Sequence, residues 1–587
     1  MTEVYPAEIA QEWHSLTGHT PPANLLETYY PRIASSDFET YGAKTLAAVA
    51  VRHWEVAAQY TGEQAVIDIH NPESSDPDYS GSRTVIDIVV RDMRYLLSSL
   101  TSDLTGEGYA LRAVHHPQVI TSRSGEDIRI IAPQGAAHTT QTTTSVLPII
   151  SADVTKEDET LESWTHIEID AIPESEFGAL REKISQTLEF VEAADRDRDD
   201  MAAKAKEIAA ELRNQPPGID LRSEAAQAAD LLDWLDGRFA FMGYREYRLE
   251  NNGETTSLEP VPGTARGISA LRDPKASPLS RAVASHASDR HVLVLTKANS
   301  RSKLIRRGFL DYLGIKMFDE NGRIIGERRF VGLYTSSMYT ASVLTIPVVR
   351  EKCEWILRES GISRNTHSGD ELVSILETYP RDDMFHADKE EILDIAMSVV
   401  NLQEKREASV FMRRDTYERY VSILVYVPRD LYDTASRTRI ENVLRELYRA
   451  SSVDFDVLLS DSALARLHFV VRVNPKDLLP DIPPAQVSNR IRGALRSWNE
   501  DVHEFLSPSS ERLSHAVAQR GGLWGQAFPP SYQDDFTPHD AVADVQRFEA
   551  MESDETPYVH VTRAKGSSGR RIRLALYRFE PANLSDI

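Results

Sequence analysis

A single cysteine, Cys353, stands in 587 residues, which excludes an intramolecular disulfide framework and any cysteine-built zinc cluster. No stretch approaches the roughly eighteen consecutive apolar residues of a membrane helix. Met1 to Ala10 holds Glu3 and Glu8 where a secretory signal would carry a basic end and an apolar run, so the cytoplasm is the expected compartment. Basic residues are in the minority, 66 Lys and Arg against 90 Asp and Glu, a formal charge of −24. That balance speaks against nucleic acid and the membrane surface as partners of the whole chain. Chemistry motifs are missing too: there is no G-x-G-x-x-G, no Gly-Lys dipeptide of a P-loop, no H-E-x-x-H and no C-x-x-C. A dehydrogenase needs a glycine turn after a strand to seat its dinucleotide. No catalytic, cofactor-binding or metal-ligating residue is therefore assigned.

What is present is pattern. At about 150 residues per domain the length implies roughly four domains, each able to bury a core. The clearest pattern begins at Ala408. Val410 and Met412 alternate with polar neighbours, Arg414, Asp415 and Thr416 form a turn, and Val421 to Val427 is β-branched and aromatic, so a hairpin is expected, stopped by Pro428 and Asp430. Ile440, Val443, Leu444, Leu447 and Tyr448 then share one helical face. Val453, Phe455, Val457 and Leu459 alternate with Asp454 and Asp456. After a Ser460-Asp461-Ser462 turn, Leu467, Phe469, Val471 and Val473 alternate with His468 and Arg472. A second helix is expected to carry Val487, Ile491, Leu495 and Trp498. Strand, helix, two strands and helix form a split βαβ pattern of ferredoxin-like type. ACT-type amino-acid-sensing modules share this plan, an analogy of fold that carries no function alone.

The stretch Ala408 to Asp430, ASVFMRRDTYERYVSILVYVPRD, resembles a segment in the N-terminal part of the large NAD-specific glutamate dehydrogenases. Three further stretches resemble the same family in the order expected there: LLDWLDGRFAFMGYREYRL (Leu231 to Leu249), FLDYLGIKMFDENGRIIGERRFVGLYTSSMY (Phe309 to Tyr339) and SGDELVSILETYPRDDMF (Ser368 to Phe385). The resemblance implies an α+β multidomain fold of ferredoxin-like (ACT-type) βαββα modules, a PAS-like mostly-β module and helical connectors. It also implies a parent reaction, L-glutamate with NAD and water giving 2-oxoglutarate, ammonium and NADH. Members of that family are much longer chains, with the NAD- and glutamate-binding region beyond the part these motifs belong to. The expectation is an N-terminal regulatory and oligomer-forming region, with NAD the cofactor of the parent enzyme and none bound to this chain. Its implied partners are its own catalytic region, further copies of itself, an amino-acid effector and a regulatory protein, with no nucleic acid and no membrane. A free-standing ACT/PAS amino-acid sensor or adaptor is the alternative.

Residues 1–60 read as a helical segment, with Leu46, Val49, His53 and Trp54 on one face. Residues 61–175 read as a first ACT-like module: strands Val66 to His70 and Thr84 to Val90, a helix with Met93, Leu96, Leu97, Leu100 and Leu104 at core spacing, and strands near Tyr109 to Val119, Ile128 to Ala132 and Trp164 to Ile172. Polar loops are expected at His138 to Thr144 and Ser151 to Thr160. In residues 176–236, apolar positions from Leu180 to Leu212 keep a spacing of three and four, interrupted by the charged run Asp195 to Asp200, so one long helix or two is expected before Pro216, Pro217 and Gly218. Residues 237–345 are the PAS-like module by resemblance, and Asn321-Gly322 marks a hairpin within it. A helical connector (346–405), the second ACT-like module (406–505) and a helical and loop connector (506–568) follow. Residues 569–587 read as a truncated third module, since Arg570 to Arg578 alternates as a strand and Pro581, Asn583 and Ser585 suit the start of a helix.

Effectors of ACT-type modules usually sit near the loop between first strand and first helix. By that analogy Arg91, Asp92 and Met93, and likewise Pro428, Arg429 and Asp430, are candidates to receive an α-amino and an α-carboxyl group. As caps and strand stops they also have a structural reading. Arg301, Lys303, Arg306, Arg307, Arg328 and Arg329 surround the PAS-like module, and Arg413 and Arg414, with Arg419, flank the hairpin turn of the second ACT-like module. Such cations suit carboxylates of an effector or an acidic partner, or the chain's own Asp and Glu. His115 and His116 are strand neighbours facing opposite ways, which speaks against shared metal ligation. Cys353 falls on the apolar side of a helix and reads as a buried, inert thiol. Asp382 and Asp383 follow Pro380 and suit the start of a helix.

Overall fold

A computed structural model of the chain describes residues 5–30, 35–79, 81–124, 127–131, 159–215, 217–251, 256–272, 277–278, 289–402, 408–415, 418–460, 462–474, 477–496, 498–506, 524, 527–551, 558–563 and 572–579. The loops expected at His138 to Thr144 and from Ser151 to Asp158, the turn and breaker residues Pro216, Thr416 and Asp461, and the helix start at Pro581, Asn583 and Ser585 lie outside them. Two compact units are present, Met1–Ile392 and Leu393–Ile587.

The first unit opens with α1 (Tyr5–Thr17), α2 (Leu25–Tyr29) and α3 (Ser35–Ala58). Then come β1 (Val66–His70), β2 (Arg83–Arg91), α4 (Leu96–Gly106), β3 (Leu111–His115), β4 (Gln118–Ser124), β5 (Asp127–Ile131), β6 (Thr160–Asp170) and α5 (Phe177–Arg196). The sheet is antiparallel in the order β1-β2-β6-β4-β5, with β3 also on β6. The single strand expected over Tyr109 to Val119 is divided because Pro117 has no N–H for the ladder; its carbonyl still accepts from the Trp164 amide at 3.0 Å. Strand β2, helix α4, strands β3/β4 and β6, and helix α5 make the βαββα plan, and β1 adds an edge strand from the N-terminal side. Alternation gives each face its own cover. Ile69, Ile86, Ile88, Ile167 and Ile169 pack on Leu96, Leu100, Leu104, Leu180 and Ile184 of α4 and α5, each buried aliphatic chain worth about 1.5–3 kcal/mol. Val89, Val119, Ile130 and Trp164 face the other way, against Leu25, Leu26, Leu46 and Ala50 of α2 and α3.

The charged run Asp195 to Asp200 separates α5 from α6 (Arg198–Asn214), and α7 (Arg222–Trp234) follows. At the junction the Asp197 carboxylate accepts the Gly267 amide at 2.6 Å. Gly267 has φ 59°, and a Cβ there would meet the Met242 carbonyl oxygen at 2.1 Å, so only glycine fits. A second antiparallel sheet holds β7 (Phe239–Asn251), β8 (Thr256–Pro260), β9 (Arg266–Gly267), β10 (Ser277–Pro278), β11 (Leu293–Arg301), β12 (Phe309–Phe318) and β13 (Ile324–Tyr334) in the order β10-β8-β7-β13-β12-β11, with β9 on β7. Asn321-Gly322 turns β12 into β13, and Asp319 Oδ1 accepts the amides of Asn321 and Arg323 at 2.9 and 2.8 Å. Met242, Leu304, Leu310 and Leu333 join the core of α4 and α5. Helices α8 (Ser336–Thr340), α9 (Val349–Glu359), α10 (His367–Thr378), α11 (Arg381–His386) and α12 (Lys389–Leu402) follow, and the division between the units falls within α12. Cys353 is buried on α9, and burial pushes its thiol up to about 12, which leaves it protonated and unreactive.

In the second unit, β14 (Ser409–Arg414), β15 (Tyr420–Pro428), α13 (Thr434–Tyr448), β16 (Ser452–Leu458), β17 (Leu464–Arg472) and α14 (Pro484–Leu495) form an antiparallel sheet β14-β15-β17-β16 under two helices. It repeats the plan of the first sheet, with β14 in the place of β1 and β15 in the place of β2. Val421, Ile423 and Val425 of β15 and Leu467, Phe469 and Val471 of β17 meet Ile440, Leu444, Val487 and Ile491 of the helices. Asp433 and Ser436 close a reciprocal capping box at the start of α13. Asp433→Ala is expected to cost this unit about 1 kcal/mol, read as a lower urea midpoint at unchanged m; an unmoved midpoint would mean the cap is dispensable.

The alternation of β16 holds: Phe455 shares a face with Val453 and Val457 and lies 6.5 Å from Phe469, but on this edge strand it stays 49% exposed, with the Arg437 guanidinium over its ring at 4.1 Å. One expectation here needs correction. Trp498 does not extend α14, because Arg496 is extended (ψ 139°) and ends that helix. Trp498 instead opens α15 (Trp498–Phe505) and packs 5.2 Å from Phe528, its indole N–H on the Phe536 carbonyl at 2.8 Å. After α16 (Pro530–Asp535) and α17 (Pro538–Glu549), β18 (Tyr558–Arg563) pairs with β19 (Ile572–Tyr577). The range 506–568 thus holds a strand as well as helices. Tyr577 anchors the hairpin to α17 through a 2.6 Å bond to Asp544.

Candidate functional site

Arg91, Asp92 and Met93 lie where β2 leaves the first sheet toward α4, and Arg91 and Met93 line a cleft of about 380 Å³. Its other walls are the segment after α3, with Tyr60 and Glu63, and one face of α5, with Leu188, Glu189 and Glu192. The Arg91 amide donates to the Tyr60 hydroxyl at 3.0 Å, and its guanidinium lies 3.5 Å from Asp195. Asp92 is fixed by its amide on the Leu161 carbonyl at 2.8 Å and by Gln118, which donates to its carboxylate at 3.0 Å. Burial pushes the Asp92 carboxyl up to about 6 despite that hydrogen bond, and Asp195 adds to the rise. The cleft therefore offers one guanidinium, several carboxylates and apolar contact from Met93 and Leu188. Such a set suits a zwitterion whose cationic end outweighs its anionic end.

The equivalent residues of the second sheet are spent differently. Pro428 ends β15, and Arg429 and Asp430 are exposed in the turn before α13. Arg429 holds the β16–β17 turn, its amide on the Ala463 carbonyl at 2.9 Å and its guanidinium on the Ser460 carbonyl at 3.0 Å.

The cationic candidates are distributed among separate partners rather than gathered. Arg301 covers Phe309 at 4.6 Å and Lys303 covers Phe190 at 5.0 Å. Arg306 donates to the Tyr334 carbonyl at 2.9 Å, and Arg307 bonds Asp103 at 3.1 Å. Arg328 pairs with Glu211 at 2.8 Å, and Arg329 pairs with Glu327 while stacking on Tyr247 at 4.1 Å. Arg413 lies 5.8 Å from the Tyr420 ring, and Arg414 pairs with Asp481 at 3.1 Å, as Arg419 does with Asp415 at 2.8 Å.

Two buried networks escape a reading of the sequence alone. In the first sheet Asp68, Asp87, His166 and His115 stand in one row across β1, β2, β6 and β3. His53 of α3 closes over them, sharing a 2.7 Å hydrogen bond with the Tyr29 hydroxyl and lying 3.7 Å from Asp87. Burial outweighs the pull of Asp87 and takes His53 down to about 4, so it is neutral. Burial would also lower His166, but Asp87 at 2.7 Å and Glu168 at 3.7 Å raise it to about 9, so it is charged. Arg83 and Tyr41 complete the row below, on Glu168. Asp68, His70 and Asp87 also bring potential metal-ligand atoms within 4.8 Å of one another. Arg52, 3.0 Å from Asp68, and charged His166 already supply cations there, and like charge would repel a further one. His115 and His116 do not converge: His115 stacks 5.8 Å from His166, while His116 bonds Ser163 at 2.6 Å.

In the second sheet Lys297 of β11 sits between Asp311 of β12, at 2.5 Å, and Asp382 of α11, at 2.8 Å. Asp311 also accepts the Tyr334 amide at 3.1 Å, and Tyr339 donates to Asp382 at 3.2 Å. The stretches FLDYLG, LYTSSMY and PRDDMF, which carry the resemblance stated above, therefore converge on one ion triad. Burial pushes Asp311 up to about 6 against the pull of Lys297, while the two carboxylates hold Lys297 well above the usual amine range.

Family models fit these elements directly. Residues 25–184 match the glutamate dehydrogenase ACT1 domain and 409–499 the ACT2 domain; 346–405 match helical motif 1 and 521–551 helical motif 2. Curated relatives agree with them: the NAD-specific glutamate dehydrogenase of Pseudomonas aeruginosa is 28% identical over 570 residues, and that of Halomonas elongata 28% over 569. The chain belongs to the NAD-specific glutamate dehydrogenase family. The Mycobacterium tuberculosis enzyme of that name is 28% identical over 68% of this chain. The P. aeruginosa and H. elongata enzymes align with 96% and 95% of it. The chain spans 34% of the length of those two relatives, about a third. The two sheets with the same strand plan are those that the ACT1 and ACT2 models match, and no described helix is long and apolar enough to cross a membrane.

Proposed function

We propose that these residues are the regulatory and oligomer-forming region of a cytoplasmic NAD-dependent glutamate dehydrogenase, and that the cleft beside Arg91, Asp92 and Met93 receives an amino-acid effector. The parent reaction would convert L-glutamate, NAD and water to 2-oxoglutarate, ammonium and NADH. NAD and glutamate would bind in a catalytic region outside these residues. The observation that carries the reading is a coincidence of place: the cleft opens at the strand-to-helix loop of the ACT1 match. Relatives about three times as long leave room for a catalytic region. The β7–β13 sheet is read as a PAS-like module, which its antiparallel order supports. The turn at Pro428, Arg429 and Asp430 is the equivalent place in the second ACT domain, but there the arginine already holds a main-chain turn.

In the cleft, the effector's carboxylate would compete with Asp195 for Arg91, its ammonium would face Glu63, Glu189 and Glu192, and its side chain would lie on Met93 and Leu188. Binding that changes how this cleft packs would act on the rest of the enzyme by shifting the balance between two packings. Calorimetric titration of the chain with each common amino acid is expected to give binding for at least one of them. Arg91→Ala should weaken it about tenfold or more, the worth of one charge-assisted bond. Equal affinity in the variant would move the site elsewhere.

A further inference from the structure

A second cleft, of about 480 Å³, runs along α9, far from the ACT1 loop in sequence and independent of the reading above. Arg350, Lys352 and Arg358 of α9 and Lys389 at the start of α12 line it, with Trp355 between them and Glu351 and Glu354 as its carboxylates. Four cations against two anions make a positive cleft in a chain whose formal charge is −24. Three of these charges are left largely uncancelled. Lys352 is the exception, since it gives all three N–H donors to the main-chain carbonyls of Met384, Phe385 and Ala387, at 3.1, 3.0 and 2.7 Å, and contributes charge but no free donor. Lys389 lies over the Trp355 ring at 4.5 Å and only approaches Glu390 at 3.9 Å, and Arg358, whose side chain is 69% exposed, only approaches Glu359 at 3.7 Å. Arg350 makes no ion pair among the described residues. One of the two carboxylates, Glu351, is engaged by the Gln227 amide.

The backbone adds to the charge. Val348 precedes α9 with φ 70° and ψ −52° and gives the helix no side-chain cap. A β-branched residue in that region is strained, and here it sets the uncapped first turn of an eleven-residue helix at the cleft. The Arg350 amide donates to the Ile346 carbonyl at 2.7 Å, and what the helix start adds is its dipole, which favours negative charge. At about 1.5 Å per residue, Arg350 and Arg358 stand about 12 Å apart along the helix. A single small anion would reach only one of them.

We infer that this cleft is a binding site for a small ligand with two separated oxyanion groups, either a long dicarboxylate or a bisphosphate ester. One group would meet Arg350 and the first turn of α9, the other Arg358 and Lys389, with the connecting part against Trp355. Titration calorimetry of the whole chain with suberate and, separately, with hexane-1,6-diyl bisphosphate tests this. Binding of at least one probe is expected at low ionic strength, weaker at 0.5 M salt as screening requires. Heat from suberate alone would assign a dicarboxylate, and heat from the bisphosphate alone a bisphosphate ester. The double variant Arg350→Gln/Arg358→Gln should lose about tenfold or more in affinity. Glu354→Gln, which removes a carboxylate from the wall, should bind about twofold tighter or better, an effect that misfolding would not produce. The inference is overturned if neither probe binds, or if the double variant, folded by circular dichroism, binds as the parent does.

Discussion

Replacing Lys297 by methionine is expected to destabilise the first unit by about 3 kcal/mol. The variant leaves Asp311, 2% exposed, and Asp382 facing each other without the ammonium that lies between them. Removing one partner of a buried pair costs about 3–5 kcal/mol, because a desolvated charge is left uncompensated. The low end applies since Asp382 keeps 26% of its side chain in water. Some of the loss will be relieved as Asp311, raised to about 6 with Lys297 in place and higher without its pull, takes up a proton, so the penalty should shrink as the pH falls. Adding Asp311→Asn to Lys297→Met should recover part of the loss. Urea denaturation at pH 7 measures both. A loss below about 1 kcal/mol would mean that water reaches the triad and screens it.

The second large effect is a pH dependence with two limbs. His166 has a folded value of about 9, above its ordinary 6.5, so its contribution is fully present below pH 6.5 and is lost as pH rises through 9. His53 has a folded value of about 4, so its contribution is present above pH 6.5 and is lost as pH falls through 4. Each displacement corresponds to roughly 3 kcal/mol at full burial. The two imidazoles thus favour a maximum near pH 6.5, and they sit where α2 and α3 meet the first sheet. In His166→Gln the alkaline limb is expected to flatten relative to the parent, and in His53→Phe the acid limb. Comparing each variant with the parent cancels the other titrating groups, Asp92 and Asp311 among them. Identical alkaline slopes in parent and His166→Gln would show that His166 is not charged in the fold.

The ACT2 domain was legible because its strands alternate cleanly and its helices carry their apolar residues at helical spacing. What alternation could not show is that both faces of the ACT1 sheet are covered. Asp68, Asp87 and His166 sit at polar positions of VIDIH, VIDIVV and WTHIEID, a pattern that normally means a solvated face. Here the N-terminal helices lie over that face, and the polar row became a buried network. A usable signal was present: Leu46, Val49, His53 and Trp54 share a helical stripe that needs a surface to bury against. The Lys297 triad hides for another reason, since its members are 14 and 85 positions apart and each looks like an ordinary strand or helix-start residue. Asp382 does begin α11 as its sequence context suggests, and it also closes an ion pair that only the tertiary fold brings together. Trp498 was misplaced by one helix because its spacing continues α14 while the backbone at Arg496 does not. Arg91 and Met93 could be singled out from the loop position, but the acidic wall opposite them comes from α5, about a hundred residues later.

The most direct test of a regulatory rather than catalytic role is glutamate-dependent NAD reduction, followed at 340 nm, by this 587-residue chain beside the same chain extended by the catalytic region proposed above. No NADH from the short chain and steady turnover from the extended one is the expected result, with the response to the bound amino acid lost in extended Arg91→Ala. Turnover by the short chain alone would contradict it, since a complete NAD and glutamate site would then lie within these residues.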